Sequence, residues 1–231
     1  MIKKILSTLL VSSALLVVAS TSSIADRPTF SVGYTAAYGG YEATGTEHEG
    51  SVDPQEQNNA NEAGEYGYSS LFLEVNIADR LTLGASWMID DVTTDMSSRV
   101  DATNHTDRDA GTDEGTSTVK VNFSNFVTGY AELNLYKGMY VKYGLMEMDL
   151  ETKENLHTDS AYPNAEMDGT TYGFGWKGAF DNGVFVKTET MMQEWSDISL
   201  LGTGATGDDN NTKIDASLSG AIATFSIGKA F

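Results

Sequence analysis

The chain has 231 residues, a formal net charge of −19 and no cysteine. Such an acidic surface repels phosphate backbones, which excludes nucleic acid as a partner. A chain without thiols has no disulfide framework, cysteine nucleophile or cysteine-bound metal. Aromatic residues make up 10% of the sequence, including three tryptophans. That content argues for an ordered fold despite the excess of acid.

The start of the chain has the three parts of a secretory signal peptide. A basic start precedes an apolar run over residues 5–18, and Ser23-Ile24-Ala25 resembles a cleavage site. The rival interpretation is a permanent helical anchor, but serines interrupt the run and no basic cluster follows it. We predict a cleaved leader over residues 1–25 and one domain over residues 26–231. That domain contains no apolar stretch long enough for a spanning helix.

Eight segments of this domain alternate apolar and polar residues, the period expected of β-strands with two unlike faces. Three turns are short, and Asp181-Asn182-Gly183 is a strong tight-turn signal. The three prolines fall outside the strand interiors, as ladder hydrogen bonding requires. The predicted strands are Thr29–Gly39, Leu71–Ile77, Leu81–Asp90, Thr118–Leu135, Met139–Met146, Thr171–Phe180, Val184–Met192 and Lys213–Phe231.

The fourth and eighth segments make specific predictions about which residues share a face. In the fourth, the alternation places Val119, Val121 and Phe123 outward with Val127, and leaves Phe126 as an apolar exception on the polar face. In the eighth, Ile214, Ala216 and Leu218 precede Ala223, Phe225 and Ile227 in the opposite phase. We interpret that change of phase as a bulge near Gly220.

Alternation alone does not separate a membrane barrel from a soluble sandwich or barrel, whose apolar face points inward. Two features favour the membrane barrel. The connections at one end of the strands are long and those at the other end are short, and the polar strand faces are nearly balanced in charge. We predict an all-β fold, an eight-stranded antiparallel up-and-down transmembrane β-barrel. The predicted protein is a monomer in the outer membrane, in contact with its lipids.

Four long connections carry 26 of the 33 acidic residues. Carboxylates on loops can bind Ca²⁺ or Mg²⁺, and Asp208, Asp209 and Asn210 form the densest oxygen cluster. Their spacing matches no EF-hand, so this is a weak metal candidate, and a solvated acidic surface is the alternative. The connections are Glu42–Glu65, Asp90–Thr116, Glu147–Asp168 and Glu194–Asn211.

The three histidines, His48, His105 and His157, lie in three different connections. They could meet at the extracellular mouth, but no spacing motif or nucleophile accompanies them. We therefore interpret them as exposed loop residues. The sequence predicts no cofactor and no catalytic residue.

The polar strand faces carry charges of both signs, several at similar depth from the short turns. Charges that face one another in a narrow lumen must pair, because an unpaired charge there costs several kcal/mol. With the bulk of Phe72, Tyr130, Tyr140 and Phe185, such pairs predict a plugged interior. The predicted ion-pair network is Glu74, Lys120, Glu132, Lys142, Lys177, Lys187, Glu189, Lys213 and Asp215.

The end of the chain resembles the C-terminal β-signal of Gram-negative outer-membrane proteins, with Phe225, Ile227 and a final Phe231. Lys229 departs from the apolar or aromatic residue usual at its position. The resemblance implies periplasmic chaperones and the barrel-assembly machinery as partners during biogenesis. With the leader and the eight segments, the chain resembles the small OmpA-like barrel family without its periplasmic domain.

That family is mostly not enzymatic, so the resemblance implies a structural or surface-interaction role, such as envelope integrity or adhesion. A porin-like channel for small solutes is the first alternative. A lipid-modifying barrel enzyme is the second, although no catalytic motif supports it.

Overall fold

The computed structural model describes residues 29–49, 56–78, 80–94, 97–103, 113–155, 161–203 and 213–231. The predicted leader lies outside these ranges. The described residues form the strands β1 (Thr29–Glu49), β2 (Glu56–Ala78), β3 (Leu81–Met88), β4 (Val92–Thr93), β5 (Ser97–Thr103), β6 (Asp113–Asn134), β7 (Met139–Asn155), β8 (Ala165–Ala179), β9 (Val184–Trp195), β10 (Ile198–Leu201) and β11 (Lys213–Ala230).

Eight of these strands close into an antiparallel ring, in the order β1-β2-β3-β6-β7-β8-β9-β11. The ring closes because β11 pairs with β1 from Ser31 opposite Ala230 to His48 opposite Lys213. The short strands β4 and β5 continue β3 along β6, and β10 continues β9 along β11. The predicted eight-stranded antiparallel barrel is confirmed.

Several strands run far beyond their predicted ends. β1 and β2 pair from Thr29 opposite Asn76 to Glu49 opposite Glu56, so most of the predicted connection Glu42–Glu65 is paired strand. Above the apolar residues that face lipid, both faces of these paired strands can meet water. Apolar alternation is then not required, and hydropathy does not reveal the pairing.

The predicted bulge near Gly220 is wrong. β11 keeps one continuous register with β1, and with β9 from Ser219 to Lys229. Its even positions therefore stay on the inward face throughout, and Leu218 packs against a cluster inside the barrel. The apolar residues change from the inward to the outward positions along the strand, while the backbone stays regular.

A real bulge lies in β6. Ser124 pairs with Asp149 whereas Val127 pairs with Glu147, so β6 contains one extra residue. Asn125 has a φ of 54°, a left-handed conformation that asparagine tolerates. Its side-chain amide donates a 2.6 Å hydrogen bond to Asp149.

The bulge reverses the faces of β6 beyond it. Phe123 pairs with Leu150, and both Phe123 and Val121 pack against the internal cluster. The predicted outward placement of Val119, Val121 and Phe123 is therefore wrong. Phe126, the apolar exception, is buried inside the barrel.

The barrel is inside-out in polarity. Glu74, Glu132 and Lys187 are at most 2% exposed on inward faces, whereas Phe174 is 61% exposed on an outward face. A soluble barrel would place these groups the other way round. The exposed outward side chains form the apolar band: Phe30, Val32, Tyr34, Tyr38, Leu71, Leu73, Trp87, Val127, Leu133, Met139, Val141, Tyr143, Leu145, Tyr172, Phe174, Trp176, Met192, Phe225 and Ile227.

The height of the band follows from β1. Phe30 and Tyr38 are eight residues apart, which is about 26 Å along a strand. At the tilt of about 40° found in membrane barrels, this is about 20 Å along the axis. The described residues contain no helix long and apolar enough to cross a membrane.

Candidate functional site

The turn-side half of the lumen is crossed by ion pairs centred on Lys187 of β9. Its ammonium lies 2.6 Å from a carboxylate oxygen of Glu74 and also donates to Glu132. In the ring, β2 and β6 are each three strands away from β9. Lys187 therefore connects opposite walls of the barrel.

Two further lysines complete this arrangement. Lys142 lies 3.0 Å from Glu189 and 3.7 Å from Glu132, and Lys177 lies 3.5 Å from Glu74. Positive and negative charges are thus equal in number. We call Glu74, Glu132, Lys142, Lys177, Lys187 and Glu189 the ion-pair layer.

Aromatic side chains hold the carboxylates in place. Tyr130 donates a 2.9 Å hydrogen bond to Glu74, and Tyr140 donates one of 2.7 Å to Glu189. The Lys142 ammonium also lies 3.7 Å from the centroid of the Tyr130 ring, a cation–π contact. Sequence reasoning treated these tyrosines as bulk and missed their role as hydrogen-bond donors.

Glycines make the room for these rings. A Cβ atom on Gly84 would lie 2.4 Å from the Tyr130 ring, and one on Gly175 would lie 2.5 Å from the Tyr140 ring. Both distances are shorter than any tolerated carbon contact. Each tyrosine therefore depends on a glycine of a neighbouring strand.

Three residues of the predicted network lie elsewhere. Lys120 is beyond the β6 bulge, which turns it to the outward face opposite Lys153. Lys213 and Asp215 occupy outward positions of β11 because that strand has no bulge. Their assignment to the lumen is wrong.

Lys213 and Asp215 instead form an exposed pair at the extracellular end. Their charged groups are 2.8 Å apart, and His48 lies 3.2 Å from the same carboxylate. His48 thus belongs to strand β1 and contacts Asp215, contrary to its interpretation as a loop residue. The hydrogen bond from Lys213 lowers the pKa of Asp215, with help from Ser199.

A small cavity lies between the ion-pair layer and the upper lumen. Its volume is about 40 Å³, room for about three water molecules. Hydroxyl groups of Thr35, Ser70, Thr171 and Ser226 contribute to its lining. These groups suit ordered water, since each can donate and accept hydrogen bonds.

Apolar side chains fill the extracellular half of the lumen. Rings of Tyr68 and Trp195 lie 5.3 Å and 5.4 Å from the Phe126 ring. Sequence reasoning missed this cluster, although the apolar exception Phe126 and the even-numbered positions 146, 148 and 150 of β7 signalled it. We call its buried members, Phe126, Met146, Met148, Leu150 and Met167, the methionine layer.

The weak metal candidate Asp208, Asp209 and Asn210 lies outside the described residues, as do His105 and His157. Among the residues that the structure describes, no group of three or more His, Asp or Glu side chains is placed to hold a metal ion.

The residues of the C-terminal motif face outward. Phe225 and Ile227 are half exposed, and the Phe231 amide donates a 2.8 Å hydrogen bond to the carbonyl of Phe30. Lys229 also occupies an outward position, and its ammonium donates to the carbonyl of Asn182 in the adjacent turn.

Comparisons with known proteins give structural likenesses only. No protein-family model and no curated protein matches the chain. The chain is similar to outer membrane protein OprG of Pseudomonas aeruginosa, with 11% identity, a TM-score of 0.46 and coverage of 86% of this chain and 96% of that one.

Two further solved structures are similar. Outer membrane protein AlkL in lipid bilayers has 8% identity, a TM-score of 0.44 and coverage of 86% and 90%. Outer membrane protease OmpT of Escherichia coli has 10% identity, a TM-score of 0.41 and coverage of 92% and 100%. The hydrogen-bonded ring of eight strands in this chain itself defines the fold.

Proposed function

We propose that this chain is an outer-membrane barrel with a closed lumen and a structural or surface-contact role. The observation that carries the proposal is the bonding of Lys187 across the lumen to Glu74 and Glu132. A barrel whose interior is tied together in this way offers its outer wall and its extracellular end for interaction.

The apolar band supports insertion into a membrane. Contiguous exposed apolar surface of this extent is rare on soluble monomers, and its height is close to that of membrane barrels. Aromatic residues border the band on both sides, as at membrane interfaces. Tyr172 donates a 2.8 Å hydrogen bond to Glu194 at the upper edge, and Trp176 donates to the Lys137 carbonyl at the turn edge.

Two obstructions in series support a closed lumen. Ions would have to break the buried pairs of the ion-pair layer and then enter the apolar methionine layer, where a charge is costly. The 40 Å³ cavity between them is far smaller than a solute path. The structural role is therefore favoured over the porin-like alternative.

The extracellular end supports the surface role. The strand ends that lead into the acidic connections lie there, among them the paired ends of β1 and β2 at Glu49 and Glu56. Concentrated carboxylates attract divalent cations or basic partner surfaces. Contact with such ions or partners through these connections is part of the proposal.

Liposome swelling tests the proposal. Protein refolded into liposomes should resist extraction at alkaline pH, which checks insertion. The same liposomes should then swell in a small sugar no faster than protein-free liposomes. Extraction of the protein would contradict membrane insertion, and rapid swelling would contradict the closed lumen.

A further inference from the structure

The outer wall of the barrel contains an apolar groove with a volume of about 580 Å³. Its floor is the backbone at the paired residues Gly33 and Gly228, whose inward sides are covered by the rings of Phe72 and Phe185. Two rows of outward side chains form its walls. The wall residues are Val184, Lys229, Val32 and Leu73 in one row, and Ile227, Tyr34, Leu71 and Trp87 in the other.

Strand register gives the direction of the groove. Ile227 pairs with Tyr34, Tyr34 with Leu71, and Leu71 with Trp87. The groove thus crosses from β11 to β3, three strand spacings or about 14 Å. It begins near the turn edge at Lys229 and rises into the apolar band, because Trp87 lies six residues above the start of β3.

Lys229 is unusual for its position. Among the described outward-facing residues within six positions of the turn-side strand ends, it is the only one with a charged side chain. Its ammonium uses one donor on the Asn182 carbonyl, and a lysine has three. Two donors remain at the end of the groove, at the depth of lipid headgroups.

We propose that this groove binds one anionic phospholipid of the turn-side leaflet. The phosphate contacts the Lys229 ammonium, and an acyl chain lies along the groove towards Trp87. The occupant follows from charge complementarity and from the continuity of the groove with the apolar band. This inference rests on the proposed membrane insertion. It also accounts for a lysine in a motif that otherwise favours apolar residues there.

Native mass spectrometry tests whether the charge of Lys229 selects the lipid. The protein is taken from bilayers that contain equal amounts of phosphatidylglycerol and phosphatidylcholine. The wild type should retain phosphatidylglycerol about fivefold over phosphatidylcholine, the factor expected of one lysine at an anionic surface. Lys229→Gln should abolish that preference. Lys137→Gln is the matched control, because Lys137 lies at the same edge over the Tyr136 ring and outside the groove.

A second pair of variants distinguishes lipid binding in the groove from simple attraction of anionic lipid by Lys229 at the membrane interface. Val32→Phe fills the groove and leaves Lys229 intact, so bound phosphatidylglycerol should fall. Val141→Phe places the same ring in the band on β7, opposite β1 in the ring, and should have no effect. Equal lipid retention by these two variants would overturn the site, as would a wild type without lipid preference.

Circular dichroism in the same bilayers keeps the two proposals apart. Failure of the wild type to enter any bilayer contradicts the proposed function itself. Insertion with a native β spectrum but no preference for phosphatidylglycerol contradicts only the lipid site.

Discussion

The two halves of the lumen are closed by opposite chemistries. The turn-side half contains the ion-pair layer, in which each charge has a partner at a defined distance. The extracellular half contains the methionine layer, which is held by apolar contacts and ring packing. The stability of the ion-pair layer depends on individual charged and hydrogen-bonding atoms, whereas that of the methionine layer depends on the volume of its side chains. The halves should therefore respond differently to substitution.

The largest loss of stability is expected from Lys187→Met. It leaves Glu74 and Glu132 facing each other inside the barrel without their central cation. Breaking a buried pair on one side costs about 3–5 kcal/mol. Urea-dependent folding in lipid vesicles measures this loss.

Lys213→Met is the control for that substitution. Lys213 pairs with Asp215 at the surface, and both side chains are well exposed. Exposed pairs contribute little to stability, because water and salt screen them, so the loss should be much smaller. Equal losses for the two variants would show that the ion-pair layer does not differ from a surface pair.

Gly84→Ala should destabilise the ion-pair layer through packing. The new methyl group would overlap the Tyr130 ring and displace the donor of Glu74. Overpacking of this kind costs about 1–3 kcal/mol. Gly45→Ala is the control, because a Cβ there would meet its nearest atom at 3.9 Å. An equal effect of both substitutions on the urea midpoint would contradict the role of Gly84.

Met167→Leu should be tolerated. Leucine nearly conserves the volume of this side chain, and such swaps cost less than about 1.5 kcal/mol. Glu132→Gln conserves shape equally well in the ion-pair layer but removes a charge, so its loss should be larger. Chemical denaturation in vesicles measures both losses of stability. A larger loss for Met167→Leu than for Glu132→Gln would contradict the difference between the two layers.

The smallest effect concerns acid titration at the extracellular end. The pKa of Asp215 is lowered in the folded protein, first by Lys213. Its contribution to stability is therefore present above the unfolded pKa of about 3.9 and is lost as the pH falls through the lower folded pKa. The pH titration of the Asp215 carboxyl chemical shift should have a higher midpoint in Lys213→Gln than in the wild type. Lys153→Gln should leave the midpoint of Asp215 unchanged, and a shift in both variants would exclude a specific contact.

Sequence predicted the parts of the barrel in which one face must be apolar. Within the band, alternation located the strands correctly because lipid and lumen demand different side chains. The narrow lumen also predicted that its charges would meet, and Glu74, Lys142 and Lys187 do lie together. The geometric limit of eight strands made that pairing foreseeable.

The errors about which residues face the lumen have a common origin. Above the ion-pair layer, the methionine layer makes part of the interior apolar, so apolar residues can occupy either face of a strand. The pattern of apolar residues then no longer shows which face points into the lumen. Alternation therefore did not locate the bulge at Asn125 or the inward position of Leu218. For the same reason, Lys120, Lys213 and Asp215 were wrongly predicted to face the lumen. A single inserted residue is set by local backbone geometry that a pattern of period two does not record.

Conductance across a planar bilayer tests most directly whether two layers close the lumen in series. The variants are Lys187→Ala with Glu132→Ala in one layer, and Phe126→Ala with Met148→Ala and Met167→Ala in the other. The wild type and each single-layer variant should carry no steady current, and the variant with both sets of substitutions should conduct ions. A steady current through the wild type, or full conductance from one layer's substitutions alone, would contradict closure by two layers.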